Sequence, residues 1–338
     1  MTGLLAHEKW FIDTHQYPLR LDMMLQPKPL AFIGVALVLT AILWVIWIKR
    51  ERRSVLPGPL RLGASAERLC GFYGLVPAIL ALHLAVSLLM AGIHRTLFSP
   101  NNLMEGPMAY FVGLALVGCA LSLFYGGGTR VAAMVMVVLW VIGVFMLGLE
   151  PMLDNLPALG FAAFFFLAGR GPIAIDRLIF PRLEPSPAMM ARAIPMLRLG
   201  LGLGLAVVAV TEKFGNLPMA LSFLNTYPVN FTPHFGMTMS NETFVLCAGS
   251  VELLVGLCLA LGVFQRELVL IAWVPINMSL SYFNWNATEL VGHLPIYGAM
   301  AVLLIWDPAG SHVPLWLRGL REGPLGIEDP GAQTSARV

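Results

Sequence analysis

The chain has 338 residues, of which 58% are hydrophobic and only 12% charged, with a formal net charge of +2. A soluble chain is normally about a quarter charged, so this composition, with a mean hydropathy of +0.78, excludes an ordinary water-soluble domain. The apolar runs are continuous rather than alternating, which excludes an outer-membrane barrel.

A membrane-crossing helix needs roughly 20 mainly apolar residues. Nine runs approach or exceed that length: 30–48, 68–91, 108–124, 130–149, 156–169, 194–212, 243–264, 267–285 and 292–306. They predict an all-α integral membrane protein with about nine transmembrane helices, those at 108–124 and 156–169 being short. Residues 1–29 lack the apolar core and cleavage site of a signal peptide. They mix Trp10, Phe11, Tyr17 and Leu19 with charges, as in a segment lying on the outer membrane surface or in a partly ordered tail. Lys49, Arg50, Arg52 and Arg53 follow the first run. Arg61, Arg68, Arg130, Arg170, Arg177, Arg182, Arg192, Arg266, Arg318 and Arg321 fall on that same side if the runs alternate. The positive-inside rule then puts the N-terminus outside and the C-terminus in the cytoplasm of a bacterial inner membrane.

The last eight runs contain an internal repeat. Arg68-Leu69 and Arg198-Leu199 open matching stretches, with Gly74-Leu75 and Gly204-Leu205 at the same offset. A Gly-rich turn ending at Arg130 matches the turn ending at Arg266, and Asn155-Leu156-Pro157 matches His293-Leu294-Pro295. Four helices per copy make the repeat parallel, related by an axis along the membrane normal. The expected organisation is an interfacial segment at 1–29, an extra helix and basic linker at 30–67, four-helix unit one at 68–170, a cytoplasmic linker at 171–193, four-helix unit two at 194–307, and a cytoplasmic tail at 308–338, poorly ordered past 325. Unit one reads as the apolar copy: Leu116 stands where unit two has Glu252, Leu82 where it has Glu212, and Asn155 where it has His293. Gly200, Gly202 and Gly204 read as a stripe for close helix packing.

Polar groups inside apolar runs are costly and are candidates for function. Lys213, Glu252 and His293 each lie about 21–22 Å along their helices from a landmark at the basic end (Arg198, Arg266 and Asp307), at 1.5 Å per residue. They therefore share one depth, in the outer half of unit two. Glu212 stands beside Lys213, and Asn277 and Ser281 lie one turn apart at nearly the same level. Glu252 in a low dielectric needs a partner, and Lys213 is the obvious one. His293 can relay protons near neutral pH. A carboxyl, an imidazole and an amide around an apolar pocket suit a quinone head group, a polar lipid or a small anion. A structural ion pair between Glu252 and Lys213, and a histidine that merely starts a helix, are the plainer alternatives. The long apolar loop at 214–242 either packs at the interface or caps a site. No CxxC, no CxxCH haem motif and no metal-ligand spacing is present, and no Walker loop, dinucleotide fingerprint or nucleic-acid patch occurs.

The second unit resembles the DoxX/DoxD-like membrane protein family. The resemblance is carried by Glu212-Lys213-Phe214, by Val251-Glu252-Leu253-Leu254-Val255-Gly256 leading to Leu261-Gly262-Val263-Phe264 and Arg266, and by His293-Leu294-Pro295-Ile296-Tyr297-Gly298. The opening Ala6-His7-Glu8-Lys9-Trp10-Phe11 is similar to the start of longer members. The resemblance implies four-helix bundles, two of them here with an added N-terminal helix. In the DoxD branch it implies a subunit of a thiosulfate:quinone oxidoreductase. The leading expectation is a membrane subunit of a quinone-linked redox system. Glu252 and His293 would be catalytic, and Lys213, Glu212, Asn277 and Ser281 would bind ligand. Quinone would be the cofactor and a partner redox protein the electron donor. A transporter of a small anion or solute, and a non-catalytic assembly subunit, remain alternatives.

Overall fold

The computed structural model describes residues 8–180, 185–282, 284–306 and 313–322. His7, Asp307 and the tail past 325 lie outside them. The described residues form an all-helical protein with no strand; one isolated bridge joins Thr96 and Leu103. Every predicted apolar run is a helix: α1 (Pro27–Lys49), α2 (Ala66–His94), α3 (Gly106–Tyr125), α4 (Thr129–Leu147), α6 (Leu156–Ala168), α8 (Pro187–Val208), α10 (Asn241–Leu261), α11 (Gln265–Tyr282) and α12 (Ala287–Ile305). Short helices α5 (Leu149–Asp154), α7 (Ile175–Ile179), α9 (Leu217–Thr226) and α13 (Val313–Glu322) lie between and after them.

Seven of the helices are long and apolar enough to cross a membrane. The two that fall short have physical reasons. Helix α6 has 13 residues, or about 20 Å at 1.5 Å per residue, against a hydrocarbon core of about 30 Å. Helix α11 carries Arg266, Glu267 and Asn277. Large apolar side chains face outward along the bundle, among them Val38, Ile42 and Trp44 of α1, Phe111 and Leu114 of α3 and Phe145 of α4. In water such a surface would be a liability; in a bilayer it is the lipid contact.

The two expected units do not fold as separate bundles. Helix α2 packs on α3, α3 on α4, α4 on α6, α6 on α8, α8 on α10, α10 on α11, α11 on α12, and α12 on α2. The last helix of each stretch therefore packs against the first helix of the other. One buried cluster joins Leu80 of α2, Phe165 of α6, Ile194 of α8 and Val302 of α12. The added helix α1 lies outside this circuit against α10, with Trp47 against Phe264 at 5.0 Å between ring centroids. Helix α13 closes the basic end on α2; its buried Trp316 meets Trp306 at 5.0 Å, which meets Tyr73 at 5.6 Å.

The glycine stripe of α8 makes this circuit possible. A Cβ on Gly200 would come within 2.5 Å of the Gly160 Cα in α6, and one on Gly202 within 2.5 Å of the Gly256 carbonyl oxygen in α10. Small residues at such crossings let backbones approach and gain dispersion contacts. A Gly202→Leu change is expected to lower stability by about 1–3 kcal/mol through overpacking. Gly118→Ala in α3, where nothing lies within 4 Å, should leave the melting temperature in detergent unchanged or slightly raised.

Candidate functional site

The site lies at the end of the bundle opposite the arginines, and begins with an irregular turn. Helix α8 runs into a π-helical turn, Ala209–Phe214. A π turn adds a residue to the helical ladder, and such bulges concentrate at functional sites. Here the adjacent Glu212 and Lys213 are both buried, at 1% and 3% exposure. The Lys213 ammonium lies 3.1 Å from the Glu252 carboxylate of α10 and 3.4 Å from that of Glu8.

Glu8 comes from the N-terminal segment, expected on the membrane surface. Residues Glu8–Trp10 form a 3-10 turn, and Glu8 and Lys9 are buried within the bundle at 5% and 7% exposure. The correction has a specific cause: each charge finds partners inside the bundle. The Glu8 backbone N–H donates to Glu212 Oε2 at 2.8 Å. Lys9 Nζ donates to Glu150 at 2.6 Å and to Asp154 at 2.5 Å, and Thr211 donates to the other Asp154 oxygen at 2.7 Å. Unit one is therefore not purely apolar; α5 supplies both anions that hold Lys9. Trp10 Nε1 donates to Ser99 Oγ at 2.9 Å, and its ring lies 5.3 Å from that of His293, against the bare backbone of Gly292.

The 214–242 loop clamps this segment. Tyr17 donates to Ser222 at 2.9 Å, Asn216 donates to the Tyr17 carbonyl at 2.8 Å, and the Arg20 N–H donates to the Gly215 carbonyl at 2.8 Å. Phe11 packs between Phe223 and Tyr227. The loop thus packs on the N-terminal segment that carries Glu8 and Lys9.

His293 is 1% exposed. Its Nδ1 lies 2.8 Å from the Glu289 carbonyl, which can only accept, so in the neutral ring the proton sits on Nδ1 and Nε2 is an acceptor. The Glu289 carboxylate is 3.7 Å from the same Nδ1 and takes a hydrogen bond from Ser279 of α11. Glu252, His293 and Asp154 share a cavity of about 90 Å³ between α8, α10, α11 and α12. The rest of its lining is apolar, including Leu201, Val255, Leu259, Leu268 and Leu303.

Depth in the membrane brought Lys213, Glu252, Glu212 and His293 to one layer. It did not bring Asn277 and Ser281. Asn277 donates back to the Trp273 carbonyl at 2.7 Å, Ser281 is exposed, and neither lines the cavity. Ser279, between them, is the buried polar residue of α11 at this level. Glu8, Lys9, Trp10, Glu150, Asp154, Ser279 and Glu289 are not among the candidate site residues that the sequence indicates, although Glu8, Lys9 and Trp10 belong to its opening motif. The Glu289-to-His293 spacing, one turn at the start of a helix, was the available signal for one of them. Among the described residues, no group of three His, Cys, Asp or Glu side chains could hold a metal ion.

Three buried carboxylates, Glu8, Glu212 and Glu252, with the 8%-exposed side chain of Asp154, face two buried ammonium groups, Lys9 and Lys213. That imbalance favours protonation of some carboxyls. Burial pushes the Glu8 carboxyl up to about 8; Lys213 opposes the rise, and Glu212 and Glu252 add to it. Burial disfavours the Lys9 ammonium, but Asp154, Glu212 and Glu150 outweigh it and hold its pKa above the usual lysine value.

No family model, curated protein or solved structure matches the chain. What the fold and site define is a multi-pass helical membrane protein with a buried charged layer at one end.

Two outcomes are expected. Folded Glu8 binds its proton more tightly than the ordinary carboxyl at 4.5. Between about 4.5 and about 8 the folded state then holds more protons than the unfolded one, so stability falls as pH rises through that window. Melting in detergent across this range should show that decline, and Glu8→Gln should flatten it. An equal decline in both proteins would remove Glu8 as its cause. Separately, Lys213→Ala should cost about 3–5 kcal/mol by leaving Glu252 and Glu8 without their cation, while pairing Lys213→Met with Glu252→Leu should cost less.

Proposed function

We propose that this protein is the membrane-embedded subunit of a quinone-linked redox system and binds the quinone head group beside Glu252 and His293. The observation that carries this reading is the cavity between α8, α10, α11 and α12. Its lining is apolar apart from three ionisable groups, Asp154, Glu252 and His293. The residues present fit the chemistry of such a ring, with apolar wall residues and ionisable groups that can hold protons for its oxygens. A bound quinone would accept two electrons and two protons.

This chain's residues supply the protons and the shielding. Glu252 holds or gives a proton at its carboxyl, oriented by Lys213 at 3.1 Å. His293 takes or gives one at Nε2, with the tautomer set by the Glu289 carbonyl. Trp10 covers the imidazole ring and limits water. Glu8 stands on the far side of Lys213, with a proton affinity suited to exchange near neutral pH. Electrons would come from a partner protein. The arginine-rich end would face the cytoplasm of a bacterial inner membrane, with the N-terminal segment on the opposite side. The resemblance to the DoxX/DoxD-like family agrees with this reading, and a sulfur or thiol compound is its natural donor class. Transport is less well supported, because apolar side chains line the cavity toward the basic end.

The test is binding of decyl-ubiquinone to the purified protein in detergent, followed by quenching of tryptophan fluorescence. Glu252→Gln and His293→Gln should each weaken binding at least about ten-fold, or about 1.4 kcal/mol. Asn277→Ala and Ser281→Ala should leave it unchanged. Wild-type affinity in both Glu252→Gln and His293→Gln, with the fold intact by circular dichroism, would sink the assignment.

A further inference from the structure

The opposite end of the bundle carries a second cavity, of about 250 Å³, where α4, the end of α6 and α7 meet. Among the described residues, Arg130, Arg170 and Arg177 line it together with one acid, Asp176. That acid is already engaged: its two oxygens accept from the Gly128 and Thr129 N–H groups at 2.6 and 2.9 Å, capping the start of α4. Arg170 is 6% exposed. Its Nε donates to the Leu123 carbonyl at 2.7 Å and its Nη2 to the Phe124 carbonyl at 3.3 Å. These bonds fix the guanidinium against the end of α3. Among the described residues its Nη1 is buried with no hydrogen-bond partner, and so is Nη2 of Arg130.

Two guanidinium groups, that of Arg170 held by its bonds to α3, with unsatisfied buried donors at one cavity are costly in isolation. A buried donor left unpaired carries its full desolvation cost, and more when it is charged. A phosphate offers several anionic acceptor oxygens and matches the guanidinium fork. The surroundings say how that phosphate is carried. Beside the cavity, α7 turns Leu178, Ile179 and Phe180 outward at 85%, 60% and 53% exposure, and Val131 at the cavity wall is 58% exposed. An apolar collar around a cationic pocket at a helix end matches the head-group level of a bilayer.

We infer that this cavity binds the phosphate of an anionic phospholipid, with Arg130 and Arg170 as its ligands and the acyl chains running along Val131 and the outward face of α7. The site is separate from the quinone cavity and does not depend on that assignment.

The experiment is thermal unfolding of the delipidated full chain in mixed micelles, with native mass spectrometry of retained lipid. Phosphatidylglycerol should raise the melting temperature and be retained, while phosphatidylcholine and inorganic phosphate should do neither. Arg130→Gln should lower affinity for phosphatidylglycerol at least ten-fold. Among the described residues the Arg130 side chain makes no hydrogen bond that its loss would break, so this variant keeps the test valid if Arg170→Gln fails to fold. Equal protection by inorganic phosphate would overturn the lipid assignment. Equal binding of phosphatidylcholine, or unchanged binding in Arg130→Gln, would overturn the site.

Discussion

Lys213 stands between two carboxylates that the chain brings together from opposite ends of its sequence, Glu252 of α10 and Glu8 of the N-terminal segment. None of the three groups could be buried alone, since the effective penalty is several kcal/mol per ion even after relaxation. Each burial therefore requires the others. Lys9 extends the same dependence to α5 through Glu150 and Asp154. The layer works as a fastener: the π turn, α5, α10 and the N-terminal segment reach their positions together, and the aromatic clamp of the 214–242 loop seals them from outside. Removing one charge leaves its partners buried and uncompensated, which costs more than the net contribution of any one pair.

The fastener also sets where chemistry is possible. Below it lies an apolar cavity, and the groups at its upper end are those with protons to exchange. The N-terminal segment thus has two roles that share one cause. Its charges close the layer, and its Trp10 shields His293. The two ends of the bundle differ in the same terms. One pairs carboxylates with lysines away from water. The other sets arginines at head-group level, with donors to spare.

Much of this was legible in the sequence, and the limits have physical reasons. All nine apolar runs are helices, because length and continuity of apolar residues report helices in a membrane directly. Lys213, Glu252 and His293 share a layer because rise per residue converts sequence position into depth. Depth carries no rotation, however. On α11 it pointed to Asn277 and Ser281, while the residue turned inward is Ser279. A soluble helix would have revealed its face by its apolar stripe; here lipid and core are both apolar and the stripe vanishes. The burial of Glu8 and Lys9 was hidden for another reason. Their partners lie more than a hundred residues away, and charges near a terminus are ordinarily solvated. The same non-locality concealed how the repeats assemble: matching stretches reveal a duplication, yet α6 packs on α8 and α12 on α2 across it.

The claim that one charged layer joins the N-terminal segment to the bundle is tested most directly by a double-mutant cycle on Lys9 and Asp154, using Lys9→Met, Asp154→Asn and the pair, read as unfolding free energies in detergent. The 2.5 Å contact between two side chains shut away from water predicts a coupling energy of at least about 1.5 kcal/mol, within the range for groups in one network. Additivity to within about 0.3–0.5 kcal/mol, as found for sites that do not touch, would contradict it.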